Sequence, residues 1–202
     1  MITIIDYGSG NLRSISNGFS KIGANSTITN DPEIIANSDF LVLPGVGAFG
    51  TAMENITPFK GIIAEHIADD KPFLGICLGL QILLSNSQES PNIKGLDIFK
   101  GEVKKIPEGR KIPHMGWNQL KIANSMDLKC PILKDTNNQS FYFVHSYYAS
   151  PENKDIIAGT TDYGFDLTAA LYENNTFATQ FHPEKSGISG LKILKNFVSL
   201  NK

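Results

Sequence analysis

The chain has 202 residues, enough for one α/β domain that can bury its own core without disulfides or a structural metal. Its formal charge is −2 and its lysines and arginines do not cluster, which argues against a nucleic-acid binder. No apolar run approaches the ~20 residues of a membrane span, and the opening MITIIDYGSGN lacks the pattern of a secretory signal. The two cysteines, Cys77 and Cys130, form neither a disulfide framework nor a CxxC metal pair, so a cytoplasmic protein without a metal or organic cofactor is expected.

Ile2–Ile5 reads as a buried strand ending in the turn Asp6–Gly10. Leu12, Ile15, Phe19 and Ile22 recur at helical spacing and predict a helix over about Asn11–Ile22. Phe40–Leu43 reads as a second strand, broken by Pro44-Gly45-Val46-Gly47. A helical stretch, disturbed at Pro58, follows to about Asp70. Phe73–Ile76 is a third strand, and Leu78–Leu84 begins another helix. The second half is richer in strands, near Leu96–Ile106, Gln139–Tyr148, Ile156–Thr161, Leu167–Tyr172 and Thr176–Phe181. A closing helix runs from about Gly187 to Leu200. This alternation predicts a doubly wound, mostly parallel sheet with helices on both faces and additional antiparallel strands in the C-terminal half. No repeat or linker divides the chain, so residues 1–202 are expected to form a single domain.

Gly75-Ile76-Cys77-Leu78-Gly79 lies where a strand turns sharply into a helix, the arrangement of a nucleophile elbow with sulfur in place of the serine oxygen. Glycines on both sides allow the tight approach of strand and helix, and the helix N-terminus at the sulfur favours a thiolate. Cys130, before Pro131 in a polar loop, has none of these features.

A thiolate nucleophile needs an imidazole to carry protons. His66 sits among polar helical residues and reads as part of a solvated face. His114 and His145 are harder to dismiss. His182 has the most suggestive surroundings: it follows a strand, Pro183 ends the ladder, and Glu184 is spaced to turn its carboxylate back onto the ring. From spacing alone, His145 remains a rival base. The loop Pro44–Gly47 ends a strand on the expected active side of the sheet, where backbone N–H groups of Gly45, Val46 and Gly47, with that of Leu78, would bind an oxyanion. On its own the same loop also reads as an ordinary turn.

Taken together, DYGSGN at 6–11, LPGVGAFG at 43–50, GICLGLQ at 75–81, IPHMGWN at 112–118, FYFVHSYY at 141–148 and QFHPEKSG at 180–187 resemble the class I glutamine amidotransferases. Within them, LPGVGAF and PHMGWN are similar to the glutaminase subunits of imidazole glycerol phosphate synthase. The resemblance implies a flavodoxin-like fold, with Cys77 as nucleophile, His182 as acid–base and Glu184 as its orienting carboxylate. It implies that Gln81, Gly47, His145, Ser146 and Tyr147 hold L-glutamine, which removes His145 as the rival base. It also implies a heterodimer with a (β/α)₈-barrel cyclase subunit. That partner uses the ammonia to convert a phosphoribosyl-formimino carboxamide ribonucleotide into imidazole glycerol phosphate and AICAR, in histidine biosynthesis. Asn11, Met115, Trp117, Asn118, Tyr142 and Lys185 are expected at or near that interface, and PHMGW is expected to be a glycine-containing loop. The Pro44–Gly47 loop is expected to reorient at Val46 before the oxyanion site is complete. Two alternatives stand beside this reading: a paralogous subunit feeding a barrel that aminates a nucleotide-linked sugar, and a non-enzymatic sensor or binding domain built around the elbow cysteine.

Overall fold

The computed structural model describes residues 1–123 and 129–200. Residues 124–128 and 201–202, which the expected 1–202 domain includes, lie outside the described residues. The first half alternates β1 (Ile2–Ile5), α1 (Leu12–Lys21), β2 (Ser26–Thr29), α2 (Pro32–Ala36), β3 (Phe40–Leu43), α3 (Phe49–Ile56), α4 (Lys60–Ala68), β4 (Phe73–Ile76) and α5 (Leu78–Gln81). Pro58 falls in a 3₁₀ turn, Thr57–Phe59, that separates α3 from α4, as its missing N–H requires. The second half adds β5 (Leu84–Ser87), β6 (Phe99–Lys105), β7 (His114–Gln119), β8 (Lys121–Ile122), β9 (Ser140–His145), β10 (Tyr147–Pro151), β11 (Ile157–Asp162), β12 (Asp166–Glu173), β13 (Thr176–Thr179) and α6 (Gly187–Val198).

Among the described residues an eight-stranded sheet runs β2-β1-β3-β4-β13-β12-β11-β8. Its first five strands are parallel, and β12, β11 and β8 continue it antiparallel. The order 2-1-3-4 reverses direction between β1 and β3, the switch point at which doubly wound sheets place their ligands. Alternating residues face opposite layers. Ile2, Ile4, Val42 and Leu74 pack with Phe19 of α1 and Leu194 and Phe197 of α6. Leu41, Leu43 and Phe73 pack with Ile35 of α2, Phe49 of α3 and Ile63 of α4. Among the described residues no helix is long and apolar enough to cross a membrane.

Four expectations need correction. The helix expected over Leu78–Leu84 closes after four residues at Gln81. Its would-be continuation is claimed by tertiary partners: Leu96 N–H donates to the Ile82 carbonyl at 2.7 Å and Phe99 N–H to the Leu83 carbonyl at 3.0 Å. The segment 112–118 is not a loop throughout, because His114–Gln119 is a strand paired antiparallel with β9, Trp117 opposite Tyr142. His66 is buried rather than solvated, its Nε2 3.0 Å from the Pro72 carbonyl, and burial lowers its pKa. The chain reverses after α4 and folds Pro72 onto that ring, a contact that helical spacing does not encode.

The single long strand expected over Gln139–Tyr148 is two strands. β9 pairs with β7, whereas β10 pairs with β6 in a separate three-stranded sheet with β5. The change of partner falls at Ser146.

The elbow glycines are fixed by contact. A Cβ on Gly75 would lie 2.8 Å from the Gly79 carbonyl oxygen, and one on Gly79 would overlap the Leu43 carbonyl. Both neighbours are backbone and have no rotamer to escape into. Gly79→Ala should therefore destabilise the protein by about 3 kcal/mol or more, read as a fall in the urea midpoint.

Candidate active site

Cys77 stands between β4 and α5 with φ 56° and ψ −106°, a left-handed backbone that few non-glycine residues adopt. The conformation is fixed from both sides. Cys77 N–H donates to the Thr179 carbonyl at 2.7 Å, and the Cys77 carbonyl accepts from Leu80 N–H at 3.0 Å and Gln81 N–H at 3.2 Å. With only four residues, α5 offers the sulfur a single turn of N–H groups and little macrodipole.

β13 lies beside β4 and ends at Thr179, so the chain emerges next to Cys77 and turns through His182-Pro183-Glu184. The Nδ1–H of His182 donates to Glu184 Oε1 at 2.8 Å, and the two side chains are 3% and 0% exposed. Nε2 is buried without a hydrogen-bond partner, and the ring shares a cavity with Cys77. Burial opposes a charge on this imidazole, but the Cys77 thiol and the Glu184 carboxylate together outweigh it and push its pKa up to about 10. Sequence reasoning missed Ser186, which holds this turn. Its Oγ donates to the His182 carbonyl at 2.6 Å and accepts from Tyr142 N–H at 2.9 Å.

The cavity measures about 360 Å³ and is lined by Val46, Gly47, Cys77, Leu78, Gln81, Glu89, Pro113, Val144, His145, Ser146, Tyr147, His182 and Lys185. Of the residues singled out for oxyanion and substrate binding, only Gly45 is missing from this wall; it is buried against Leu78 and Gly79. The loop is tied to the turn after β1: Tyr7 Oη donates to the Pro44 carbonyl at 2.8 Å and Ser9 Oγ to the Val46 carbonyl at 2.6 Å. Glu89 and Gln180 are further residues that sequence reasoning did not assign. Glu89 accepts from Phe49 N–H at 2.8 Å. Gln180, fully buried, donates to the Cys77 sulfur at 3.7 Å and accepts from Gln81 Nε2 at 3.1 Å. Its place in the QFHPE segment was the available signal.

His145 has both ring nitrogens engaged, Nδ1 with the Tyr147 carbonyl at 2.8 Å and Nε2 with His114 Nδ1 at 3.0 Å. Burial first, then the His114 and His182 rings, push its pKa down to about 3. Neither nitrogen is left to serve Cys77. Cys130, before Pro131, is buried in the core, and burial pushes its thiol up to about 12. Among the described residues no three His, Cys, Asp or Glu side chains gather as a metal site.

On β7, Met115 and Trp117 are 59% and 55% exposed. The Trp117 and Tyr142 rings meet edge to face at 6.1 Å. Asn118 Nδ2 donates to the Asp162 carbonyl at 3.0 Å, while Asn11 and Lys185 lie at the surface.

A cysteine at a strained strand-to-helix turn, beside a carboxylate-anchored imidazole, is the equipment of a thiol acyl-transfer enzyme. The family model described as glutamine amidotransferase class-I matches residues 3–200. A Methanothermobacter thermautotrophicus protein named imidazole glycerol phosphate synthase subunit HisH is 57% identical over 99% of this chain and 98% of its own length. The Methanocaldococcus jannaschii protein of the same name is 50% identical over 99% and 100%. Among solved structures, a glutamine amidotransferase superposes with TM-score 0.77 at 15% identity, covering 99% of this chain and 98% of that one. PurLQS from Thermotoga maritima superposes with TM-score 0.76 at 17% identity, covering 100% and 98%. The chain belongs to the class-I glutamine amidotransferase family, in the group of imidazole glycerol phosphate synthase HisH subunits.

The raised pKa of His182 has two named causes, and each can be removed. Imidazole ¹⁵N spectra should show a ring protonated through neutral pH. Glu184→Gln and Cys77→Ala should each bring its titration midpoint down toward the ordinary histidine range; an unmoved midpoint in both variants contradicts the assignment.

Proposed function

We propose that this chain is the glutaminase subunit of imidazole glycerol phosphate synthase, one type 1 amidotransferase domain over 1–202, with Cys77, His182 and Glu184 as its catalytic triad. The observation that carries the reading is the coupling at the elbow: a strained Cys77 shares a cavity with an imidazole whose far nitrogen is fixed on a buried carboxylate. The cavity volume suits an amino acid of glutamine's size.

In this mechanism the Cys77 sulfur adds to the side-chain amide carbon of L-glutamine. The resulting oxyanion is stabilised by N–H groups of the Pro44–Gly47 loop and of Leu78. The Nε2–H of His182 protonates the leaving nitrogen, ammonia departs, and a glutamyl thioester remains. The same nitrogen then takes a proton from water as the water attacks the thioester, releasing glutamate and restoring the pair. Glu184 keeps Nδ1 protonated throughout, so Nε2 is the nitrogen that exchanges protons. Gln81, Gly47, His145, Ser146 and Tyr147 form the glutamine-binding wall.

The ammonia is consumed by a cyclase subunit, a (β/α)₈ barrel bound as a heterodimer. Ammonia released into water near neutral pH becomes mostly ammonium, which is not a nucleophile, so a shielded route to the barrel is chemically reasonable. Asn11, Met115, Trp117, Asn118, Tyr142 and Lys185 form or border the interface, a reading supported by the exposed Met115 and Trp117 of β7, with the half-buried Tyr142 of β9 against Trp117. The site of action is the cytoplasm. The Pro44–Gly47 loop reorients at Val46 when the partner and its ligand are bound, and the chain alone hydrolyses little glutamine.

A coupled assay tests this reading. The chain mixed with a histidine-pathway barrel and its ribonucleotide should form product with either glutamine or ammonium as nitrogen source. Cys77→Ala should abolish the glutamine-dependent reaction and leave the ammonium-dependent one unchanged; loss of both, or of neither, would falsify it. Trp117→Ala should weaken the heterodimer by about 2 kcal/mol, roughly thirtyfold in Kd, as measured by titrating the barrel calorimetrically.

A further inference from the structure

His114 lies outside the cavity wall yet is 1% exposed, its ring stacked 4.8 Å from Phe143 on one side and 4.0 Å from Tyr163 on the other. Its Nδ1 is hydrogen-bonded to His145 Nε2, 3.0 Å away. The direction of that bond follows from its other end. The Tyr147 carbonyl, 2.8 Å from His145 Nδ1, can only accept, so His145 Nδ1 carries the hydrogen. Burial holds both rings neutral, His145 at a pKa of about 3 and His114 at about 4, the latter lowered by burial against a smaller opposing contact with Asn118. A neutral His145 protonated on Nδ1 has a bare Nε2, and His114 must therefore supply the hydrogen from its own Nδ1. Each imidazole is held in the Nδ1–H tautomer, the less favoured form of a free histidine in water.

The chain of bonds continues. The Tyr147 carbonyl also accepts from Gln81 Nε2 at 2.8 Å, Gln81 donates to Gln180 Oε1 at 3.1 Å, and Gln180 donates to the Cys77 sulfur at 3.7 Å. One end of this relay is on β7, where the side chain next in sequence, Met115, is exposed. The other end is the nucleophile.

We propose that His114 is a positioning residue for glutamine hydrolysis: by donating to His145 it fixes the wall at Ser146 and Tyr147 and, through Gln81 and Gln180, the setting of the Cys77 sulfur. This rests on the glutaminase reading. His114 touches neither glutamine nor the sulfur; it orients the groups that do. β9 leaves its sheet at Ser146, where the Ser146 carbonyl accepts from Ile106 N–H at 3.0 Å and Tyr147 pairs with Lys105 of β6; the His145 ring ties this new pairing back to β9 and, through His114, to β7. At Nε2 that ring is held in turn by a single donor, His114 Nδ1–H.

The test uses the full chain with its barrel partner and three forms of residue 114. His114→Phe keeps the stack between Phe143 and Tyr163 and removes the donor. His114→Asn returns an N–H close to where Nδ1–H stood. Deleting the donor should lower kcat/KM for glutamine about tenfold, with most of the loss in KM, and ammonium-dependent turnover should stay unchanged. The asparagine variant should recover most of that loss, which a packing role for His114 would not produce. Long-range ¹H–¹⁵N spectra of the parent should report the Nδ1–H tautomer at both His114 and His145, a readout independent of whether either variant folds. Parental kinetics in His114→Phe, an asparagine variant no better than the phenylalanine one, or an Nε2–H signal at His145 would each overturn the relay. The two readings fail separately: a parent unable to hydrolyse glutamine sinks the glutaminase, whereas an active parent with any of those three results sinks the relay alone.

Discussion

The close approach of α5 to the end of β3 sets the geometry of everything near the sulfur. The Leu43 carbonyl occupies the space that a Cβ on residue 79 would need. A helix brought so near the strand ends leaves the chain no extended route out of β4, and Cys77 takes up the turn with a left-handed φ. Such a conformation costs on the order of 1–3 kcal/mol and persists only where its surroundings over-determine it. Here three backbone hydrogen bonds do so, one to Thr179 and two from α5. The same contact explains why the other parts of the site arrive together. β4 lies between β3, which runs into the Pro44–Gly47 loop, and β13, which runs on to His182. Three neighbouring parallel strands thus open at one edge of the sheet, and the site is assembled from residues distant in sequence without any long excursion of the chain.

Within that small space two histidines are driven to opposite protonation states. Both His145 and His182 lose solvation, which alone would make both neutral. His182 has Glu184 and Cys77 as partners, and their combined effect exceeds the cost of burial. His145 has only a carbonyl and another neutral imidazole, and the nearby His182 further disfavours a charge on it. The separation is produced by neighbours rather than by depth. It leaves one ring able to hold a proton and the other a neutral hydrogen-bonding group, a separation by environment like that between paired carboxylates in other sites.

Much of this was legible in the sequence, for identifiable reasons. Phe40–Leu43 and Phe73–Ile76 are short, fully apolar runs bounded by turn residues, and the observed strands have the expected limits. Gly75 and Gly79 around Cys77 announced the elbow by their spacing, although only the Gly75 contact is local and the space at Gly79 is closed by the Leu43 carbonyl of β3. The link from Glu184 to the His182 ring is also local, two residues apart across a proline, so spacing could anticipate it. What stayed hidden is non-local. β2 is a half-exposed strand, Ser26–Thr29, whose polar pattern gives no periodic signal. The helix after Cys77 ends early because residues 96 and 99 claim its carbonyls. The His114–Gln119 strand exists because β9 pairs with it, and its exposed Met115 and Trp117 obscure the alternation. Gln180 and Ser186 are ordinary polar residues until the fold brings Cys77 and Tyr142 to them.

The loop over the cavity shows how the fold can keep one segment adjustable beside a rigidly held Cys77. Its two side-chain ties differ in kind. Tyr7 is buried, and burial, offset in part by its contact with Ser9, pushes its pKa up to about 12, so its hydroxyl remains a donor to the Pro44 carbonyl across the physiological range. Breaking that bond would strand a buried carbonyl, at a cost of about 1–3 kcal/mol. The Ser9–Val46 bond is exposed, and water replaces it at little cost. Gly47 next to it has φ 94°, with no contact that a Cβ would meet, so its backbone is confined by neither a side chain nor a neighbour. Pro44 is consequently anchored whereas Val46 and Gly47 are only lightly held, and these two residues line the cavity facing Cys77. A rearrangement of this loop meets least resistance at the Val46–Gly47 peptide, where the opposing hydrogen bond is cheapest to exchange and a positive φ is carried by glycine.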